Sequence, residues 1–247
     1  MRAKPFSLLA QVYDSIMSDV DYEDWGLFII EQLKQRGWQK GKALDLGCGT
    51  GNSTFPLFAL GVKVVGLDAS NDMLKEAREK LPPVRFVEAD FRNFELNESF
   101  GLVYSVFDAL NNLLTPEAFL EMAQQVYKHL EPGGFFMFDA NTREGLEHLW
   151  ESSRAEGWIG GVYYRWDHSF DRETGLAKVE AYCEKEGQAF TEVHYERPYD
   201  GHELKSLLTQ AGFTAIEIIS YPEAEPAPAD EPRIWVIAQK PSDSLRN

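Results

Sequence analysis

A chain of 247 residues with 44% hydrophobic and 13% aromatic residues carries enough apolar material for one large core, which excludes a disordered chain and leaves room for an insertion. Its 40 acidic residues outnumber 24 basic ones, and a net charge of −16 repels phosphate backbones, which argues against a general nucleic-acid binder. There is no run of 18 apolar residues and "MRAKPFSLLAQVYDS" lacks the apolar segment of a secretory signal; Cys48 and Cys183 stand in no metal-ligand spacing. Free thiols, a cytoplasmic location, no membrane contact and no metal are the corresponding expectations.

The first forty residues read as helices. "FSLLAQVYDSIM" places Phe6, Leu9, Val12, Tyr13 and Ile16 at three- and four-residue spacing, and "DYEDWGLFIIEQLKQRG" repeats the pattern up to Gly37. Ala43 to Leu46 is an apolar run too short for a helix, hence a buried strand. "NSTFPLFALG" reads as a helix with Pro56 in its first turn, "VKVVGLD" as a strand and "SNDMLKEAREKL" as a helix stopped by Pro82-Pro83. "VRFVEAD" and "FGLVYSVFDAL" follow as strands, then the helix "PEAFLEMAQQVYKHL" and the strand "GFFMFDAN". Strands alternating with helices at this spacing predict an α/β fold with a mainly parallel sheet.

Beyond Asn141 the rhythm changes. "GGVYYRWDHSF", "GLAKVEAYCEK" and "QAFTEVHYERP" alternate polar with apolar residues and are separated by turn-like segments, which predicts an antiparallel meander. "GHELKSLLTQAGF" returns to a helix. "TAIEIIS" and "RIWVIAQK" read as a closing antiparallel pair, joined by "YPEAEPAPADEP", a loop proline-rich enough to be expected mobile.

The segment "ALDLGCGTGNSTFPL" carries the chemistry. Gly47, Gly49 and Gly51 stand between a strand and a helix, where glycine permits a tight turn and removes the Cβ atoms that would strike a ligand. The spacing is G-x-G-x-G rather than the G-x-G-x-x-G of dinucleotide sites, and no G-K-[ST] follows. Asp45, expected to face the turn, is an awkward neighbour for a pyrophosphate and a good one for a cation. Asp68 ends the second strand, where a carboxylate accepts from both hydroxyls of a ribose. Asp90 ends the third, where it or a backbone N–H can read an adenine edge. A nucleoside with a cationic portion fits these positions, and S-adenosylmethionine is such a molecule.

The sequence resembles the class I S-adenosylmethionine-dependent methyltransferases over roughly residues 40 to 142 and the closing strands. "LDLGCGTG" matches the first motif, "VVGLDAS" the second and "FVEADFR" the third, while "FGLVYSVFDALNNL" sits where the fourth belongs. The resemblance implies a Rossmann-like, doubly wound α/β fold. Its sheet would be seven-stranded and mainly parallel with an antiparallel last strand, under an N-terminal helical lid and with a β-meander inserted after strand five. In boundaries this gives a lid over 1–40, a cofactor-binding core over 41–142, an insertion over 155–199 and closing elements over 200–241. It also implies that Gly47, Cys48 and Gly49 pass under the methionyl portion and ribose, and that Asp68 holds the ribose with Ala69 and Met73 nearby. Asp90 and Phe91 would bind adenine, and Phe107 would approach the sulfonium beside Asp108. "YD" and "DY..W" ahead of the first motif resemble a bacterial subgroup akin to amino-sugar and glycine N-methyltransferases, which would bring Tyr13, Tyr22 or Trp25 to the site.

The fourth motif, "VFDALNN", lacks the proline pair and aromatic of enzymes that methylate planar amide or ring nitrogens. A small-molecule amine or hydroxyl acceptor is therefore expected, entering between residues 108–112, the N-terminal helices and the meander. Asp108, His194 or Tyr13 would orient or deprotonate it, and Arg197 lies close in sequence. An RNA methyltransferase and a non-catalytic S-adenosylmethionine-binding regulator remain the alternatives, and the meander is a candidate homodimer interface. A nicotinamide-dependent oxidoreductase fits the glycine spacing poorly.

Overall fold

The computed structural model describes residues 1–150 and 152–242. Two helices, α1 (Ala10–Ile16) and α2 (Tyr22–Gln35), precede β1 (Lys42–Leu46), α3 (Thr54–Ala59), β2 (Lys63–Asp68), α4 (Asn71–Lys80) and β3 (Arg85–Glu88). Then come β4 (Phe100–Ser105), α5 (Pro116–His129) and β5 (Leu130–Asn141). The strands pair in the order β3-β2-β1-β4-β5, all parallel, so the chain reverses its direction of winding between β1 and β4. Ligands of open α/β sheets bind outside the carboxyl ends of the strands at such a switch point.

The helix boundaries follow the caps. Ser70 accepts from the Met73 N–H at the start of α4, and Thr115 accepts from the Ala118 N–H with Pro116 in the first turn of α5. β10 (Thr214–Ile219) and β11 (Arg233–Gln239) complete the seven-stranded sheet, with β11 antiparallel to both its neighbours. Alternation along β11 sends Ile234, Val236 and Ala238 to the layer shared with α5 and with α7 (Gly201–Ala211), and Trp235 and Ile237 to the layer shared with α2 and α3. Helices thus cover both faces, as a parallel sheet requires.

Between β5 and α7 a second sheet stands apart, with strands β6 (Arg154–Ile159), β7 (Val162–Asp171), β8 (Leu176–Lys185) and β9 (Gln188–Glu196) paired antiparallel in chain order. The alternating sequence predicted the last three of these. It did not predict β6, an edge strand that is largely exposed and carries no apolar alternation, nor α6 (Arg143–Trp150) before it. The proline-rich loop is also more ordered than its composition suggests. Ser220 and Ala227 donate backbone bonds to Glu225 and Ile218, and Tyr221 packs on Phe28 and Trp235. Among the described residues no helix is long and apolar enough to cross a membrane.

The N-terminal segment divides differently from the expected 1–40 lid. α2 buries Phe28, Ile29, Ile30 and Leu33 in the core layer against α3, so it belongs to the large sheet's wrapping. Residues ahead of it are held elsewhere. The buried Glu192 carboxylate on β9 accepts from the backbone N–H groups of Phe6 at 2.7 Å, Ser7 at 3.2 Å and Leu9 at 2.9 Å. Ser70 at the head of α4 donates to the Phe6 carbonyl at 2.5 Å. The segment is therefore tied to both sheets at once.

Candidate functional site

A cavity of about 690 Å³ opens where the β1, β2 and β4 ends meet the N-terminal segment and the small sheet, within the ~300–1,000 Å³ usual for small-molecule sites. Its floor is the turn after β1. Gly47, Gly49 and Gly51 have φ of +82°, +51° and +85°, values that L side chains adopt only under strain. A Cβ at Gly47 would also stand 2.9 Å from Ala109 Cβ and 3.0 Å from the Phe91 ring, whereas the space around Gly49 is open. The Gly49 N–H donates to Asp68 Oδ2 at 2.9 Å and the Ser70 N–H to Oδ1 at 2.8 Å, which aims the carboxylate across the turn. Burial raises the Asp68 pKa, against the pull of those backbone donors.

The cavity wall brings together Gly47, Cys48, Gly49, Asp68, Ala69, Met73, Phe91 and Phe107, and from the acceptor side Tyr13, Asp108 and His194. Tyr22 joins them, and Trp25 stands one layer back, 5.9 Å from the Phe107 ring. The expectation for Asp45 is corrected. Strand alternation turns it, with Ala43, toward α3, where it is fully buried and accepts from Ser53 Oγ at 2.7 Å and Thr54 Oγ1 at 2.6 Å. Burial pushes its pKa up to about 6, opposed by those hydroxyls. It braces the start of α3 rather than facing a ligand. Asp90 also lies outside the cavity wall, because Arg92, two residues on, takes its carboxylate at 2.9 and 2.6 Å and holds its pKa below the usual range. Arg197 is spent on Glu203, at 2.8 and 3.0 Å.

Tyr13 reaches the cavity from α1, whose Asp14 accepts from Thr50 Oγ1 at 2.5 Å and Asn52 Nδ2 at 3.0 Å and so fastens the helix over the glycine turn. Burial and the neighbouring Tyr22 phenol raise the Tyr13 pKa well above its ordinary value, so it stays a neutral hydroxyl. Cys48 is a buried thiol whose pKa burial also raises, which leaves it unreactive.

On the β4 side of the cavity, Phe107 and Asp108 both have left-handed backbone, with φ of +62° and +50°. The Asp108 N–H donates to Asp139 at 3.2 Å, and the Asp108 carboxylate accepts from Asn141 Nδ2 at 2.6 Å and Arg233 Nη2 at 3.0 Å. These contacts hold two strained residues in place. The small sheet supplies the roof: Trp166 and His168 from β7, Val179 and Ala181 from β8, His194 and Glu196 from β9, with Trp150 from α6. Of these, Trp150, Trp166, His168 and Glu196 were not singled out as site residues from the sequence. The alternation Glu192, His194, Glu196 on one face of β9 is the signal that identifies the last.

The profile of the methyltransferase domain matches residues 43–134, spanning the glycine turn, Asp68 and the β4 end. An S-adenosylmethionine-dependent methyltransferase of known structure from Clostridium acetobutylicum ATCC 824 superposes with a TM-score of 0.83 at 26% identity, over 95% of this chain and 98% of that one. The chain is an S-adenosylmethionine-dependent methyltransferase. A Bacillus subtilis (strain 168) protein, YqeM, whose name gives a methyltransferase without an acceptor, is 29% identical over 94% of this chain and 95% of its own. The dTDP-3-amino-3,4,6-trideoxy-α-D-glucopyranose N,N-dimethyltransferase of Streptomyces venezuelae is 28% identical over 82% of this chain and 89% of its own. The residues present fit the methyl donor: space is open at Gly49, the Asp68 carboxylate has a lone pair to spare on each oxygen, and Phe91 lines the same cavity. The methyltransferase carries Asp68, Asp72, Asp108 and Glu196 on its cavity wall against Lys4 alone among lysines and arginines, a field that favours a cationic ligand.

Proposed function

We propose that the enzyme methylates a small molecule whose nucleophile is an amine or a hydroxyl, held between the Phe107–Asp108 turn, Tyr13 and the roof of the small sheet. The observation that supports this most directly is the continuity of one cavity from Asp68 to Trp166: donor and acceptor share an enclosure, with the N-terminal segment across its mouth. In this reading Gly47, Gly49, Asp68, Ala69, Met73 and Phe91 hold the donor, and Phe107 packs beside its reactive end. S-adenosylmethionine supplies a methyl group on a sulfonium, already activated for displacement. The chain's own tasks are then to orient the acceptor, to exclude water and to manage the acceptor's proton.

Tyr13, as a neutral phenol, orients rather than deprotonates. His194 has no hydrogen-bond partner at Nδ1 among the described residues and is free to meet a ligand from the roof. An acceptor of amino-sugar size agrees with the named activity of the Streptomyces venezuelae relative and with the recess beneath Trp166 and His168. A cytoplasmic location agrees with two free, buried cysteines. Self-association through the small sheet would use its outer face, where Trp158 and Tyr195 are exposed, since the inner face is spent on the cavity.

The experiment is a turnover assay of S-adenosylmethionine to S-adenosylhomocysteine over paired amine and hydroxyl acceptors. It is run on the wild type and on a double Asp108→Ala, His194→Ala variant. Turnover with small acceptors that falls at least tenfold in the variant supports the assignment. Unchanged turnover in the variant contradicts the roles given to these residues, and turnover on RNA alone contradicts the acceptor class.

A further inference from the structure

We infer that Glu196 is the group that receives the acceptor's proton, and that the acceptor is therefore an amine which enters as its ammonium ion. This deepens the small-molecule reading above and rests on it.

Glu196 is placed by a clasp that serves no other evident purpose. The Arg197 N–H donates to the Asn111 carbonyl at 2.8 Å, and the fully buried Asn111 side chain donates to the Arg197 carbonyl at 2.8 Å and the Asn141 carbonyl at 2.9 Å. Asn111 Oδ1 in turn accepts from the Asn141 N–H at 3.0 Å. The end of β9 is thereby fixed against the turn that carries Asp108, and the half-buried Glu196 side chain lines the cavity there. Asn141 Nδ2 lies between the two carboxylates, 2.6 Å from Asp108 and 3.4 Å from Glu196.

The charges around this point do not balance. Asp108 and Glu196 face the cavity and Asp139 lies behind them, against the single guanidinium of Arg233. Arg233 contacts Asp108 and Asp139, so Glu196 is the carboxylate without an ion-pair partner among the described residues. Burial and then Asp108 raise its pKa, against Asn141 and Arg233. The other titratable groups of β9 on this face, His194 and Glu192, stand one and two alternations back along the strand and contact each other at 3.3 Å. A cation completes the cluster, and Trp150 and Trp166 line the same cavity. The step is a proton transfer: an N–H bond of the ammonium breaks, its electron pair stays on nitrogen as the nucleophilic lone pair, and the O–H bond forms on Glu196. The carboxyl loses its proton to water after the product leaves. A raised pKa brings the carboxylate nearer to the amine and makes the transfer less uphill.

The test uses full-length protein saturated with S-adenosylhomocysteine, titrated calorimetrically with phenethylamine and with phenethyl alcohol, its hydroxyl counterpart. The wild type should bind the amine at least tenfold more tightly, with affinity rising with pH as Glu196 ionises. In Glu196→Gln the preference and its pH dependence should vanish while S-adenosylhomocysteine binds within twofold of wild type. An amine preference that survives Glu196→Gln overturns the inference, as does equal binding of the two probes or binding of neither. Loss of S-adenosylhomocysteine binding by the folded wild type would contradict the methyl-donor site itself, a separate result read in the first titration.

Discussion

The two sheets build the two ends of the cavity by different means. The large sheet makes the proposed donor end from backbone: three left-handed glycines, the Gly49 and Ser70 N–H groups, and one carboxylate at a strand end, all within 24 residues of chain from Gly47 to Ser70. The small sheet lines the other side with side chains on its inner face, the proposed acceptor end, where Glu196 is set by Asn111, Asn141 and Arg233 from three distant segments. A backbone site tolerates little change in the chain that forms it. A site of side chains on a sheet face can be rewritten residue by residue while the sheet persists, which suits the half that chooses the acceptor.

The largest way to break this division is to cut what joins the two sheets. Glu192→Ala leaves the Phe6, Ser7 and Leu9 amides without their buried carboxylate, at a local cost of roughly 4 kcal/mol. Hydrogen exchange should show these amides opening while the large sheet stays protected. Burial opposes the charge on Glu192, but His194 and the Leu9 and Phe6 amides overcome it, so its pKa lies below the ordinary 4.5. A depressed carboxyl contributes stability that is present above its unfolded value and lost as pH falls through its folded one. The wild-type segment should therefore loosen in acid, and the variant should show no such step.

Asp45 tests the opposite sign in the large sheet. Its folded pKa of about 6 stands above the ordinary 3.8, so its contribution to stability declines as pH rises across that window, by about 3 kcal/mol in all. Denaturant unfolding at pH 4 and pH 7 should show this decline shrink by that amount in Asp45→Asn. Gly47→Ala adds both a strained φ and a contact at 2.9 Å to Ala109, for about 2 kcal/mol of stability. The same change should weaken S-adenosylmethionine binding at least tenfold in calorimetry. At the small end of the scale, Trp158→Ser on the outer face of the small sheet should move stability by less than ~0.5 kcal/mol and leave turnover unchanged.

The sequence made the donor end readable because its signals are local. "LDLGCGTG" specifies strand, turn and helix within a few residues, and β2 ends at Asp68 as read, whereas β4 stops at Ser105, five residues short of the strand read over 100–110. Asp45 and Asp90 depart from their expected places for equally local reasons: one points to the opposite face of its strand, and the other is taken by an arginine two residues on. On the proposed acceptor side Tyr13, Asp108 and His194 were legible, but Glu196 was not, because it acquires its character from residues 55 to 88 positions away, Asn141 and Asp108. β6 was missed for a related reason. An exposed edge strand has no buried face to impose alternation.

The claim on which the rest depends is that donor and acceptor ends are separate parts of one cavity. It is tested most directly by calorimetric titration of S-adenosylmethionine into the wild type, Asp68→Ala and Glu196→Gln. Binding by the wild type that is weakened about a hundredfold in Asp68→Ala, through loss of two charged hydrogen bonds, and unchanged in Glu196→Gln is the expected result. Absence of binding to the folded wild type, or a loss in Glu196→Gln as large as that in Asp68→Ala, would contradict it.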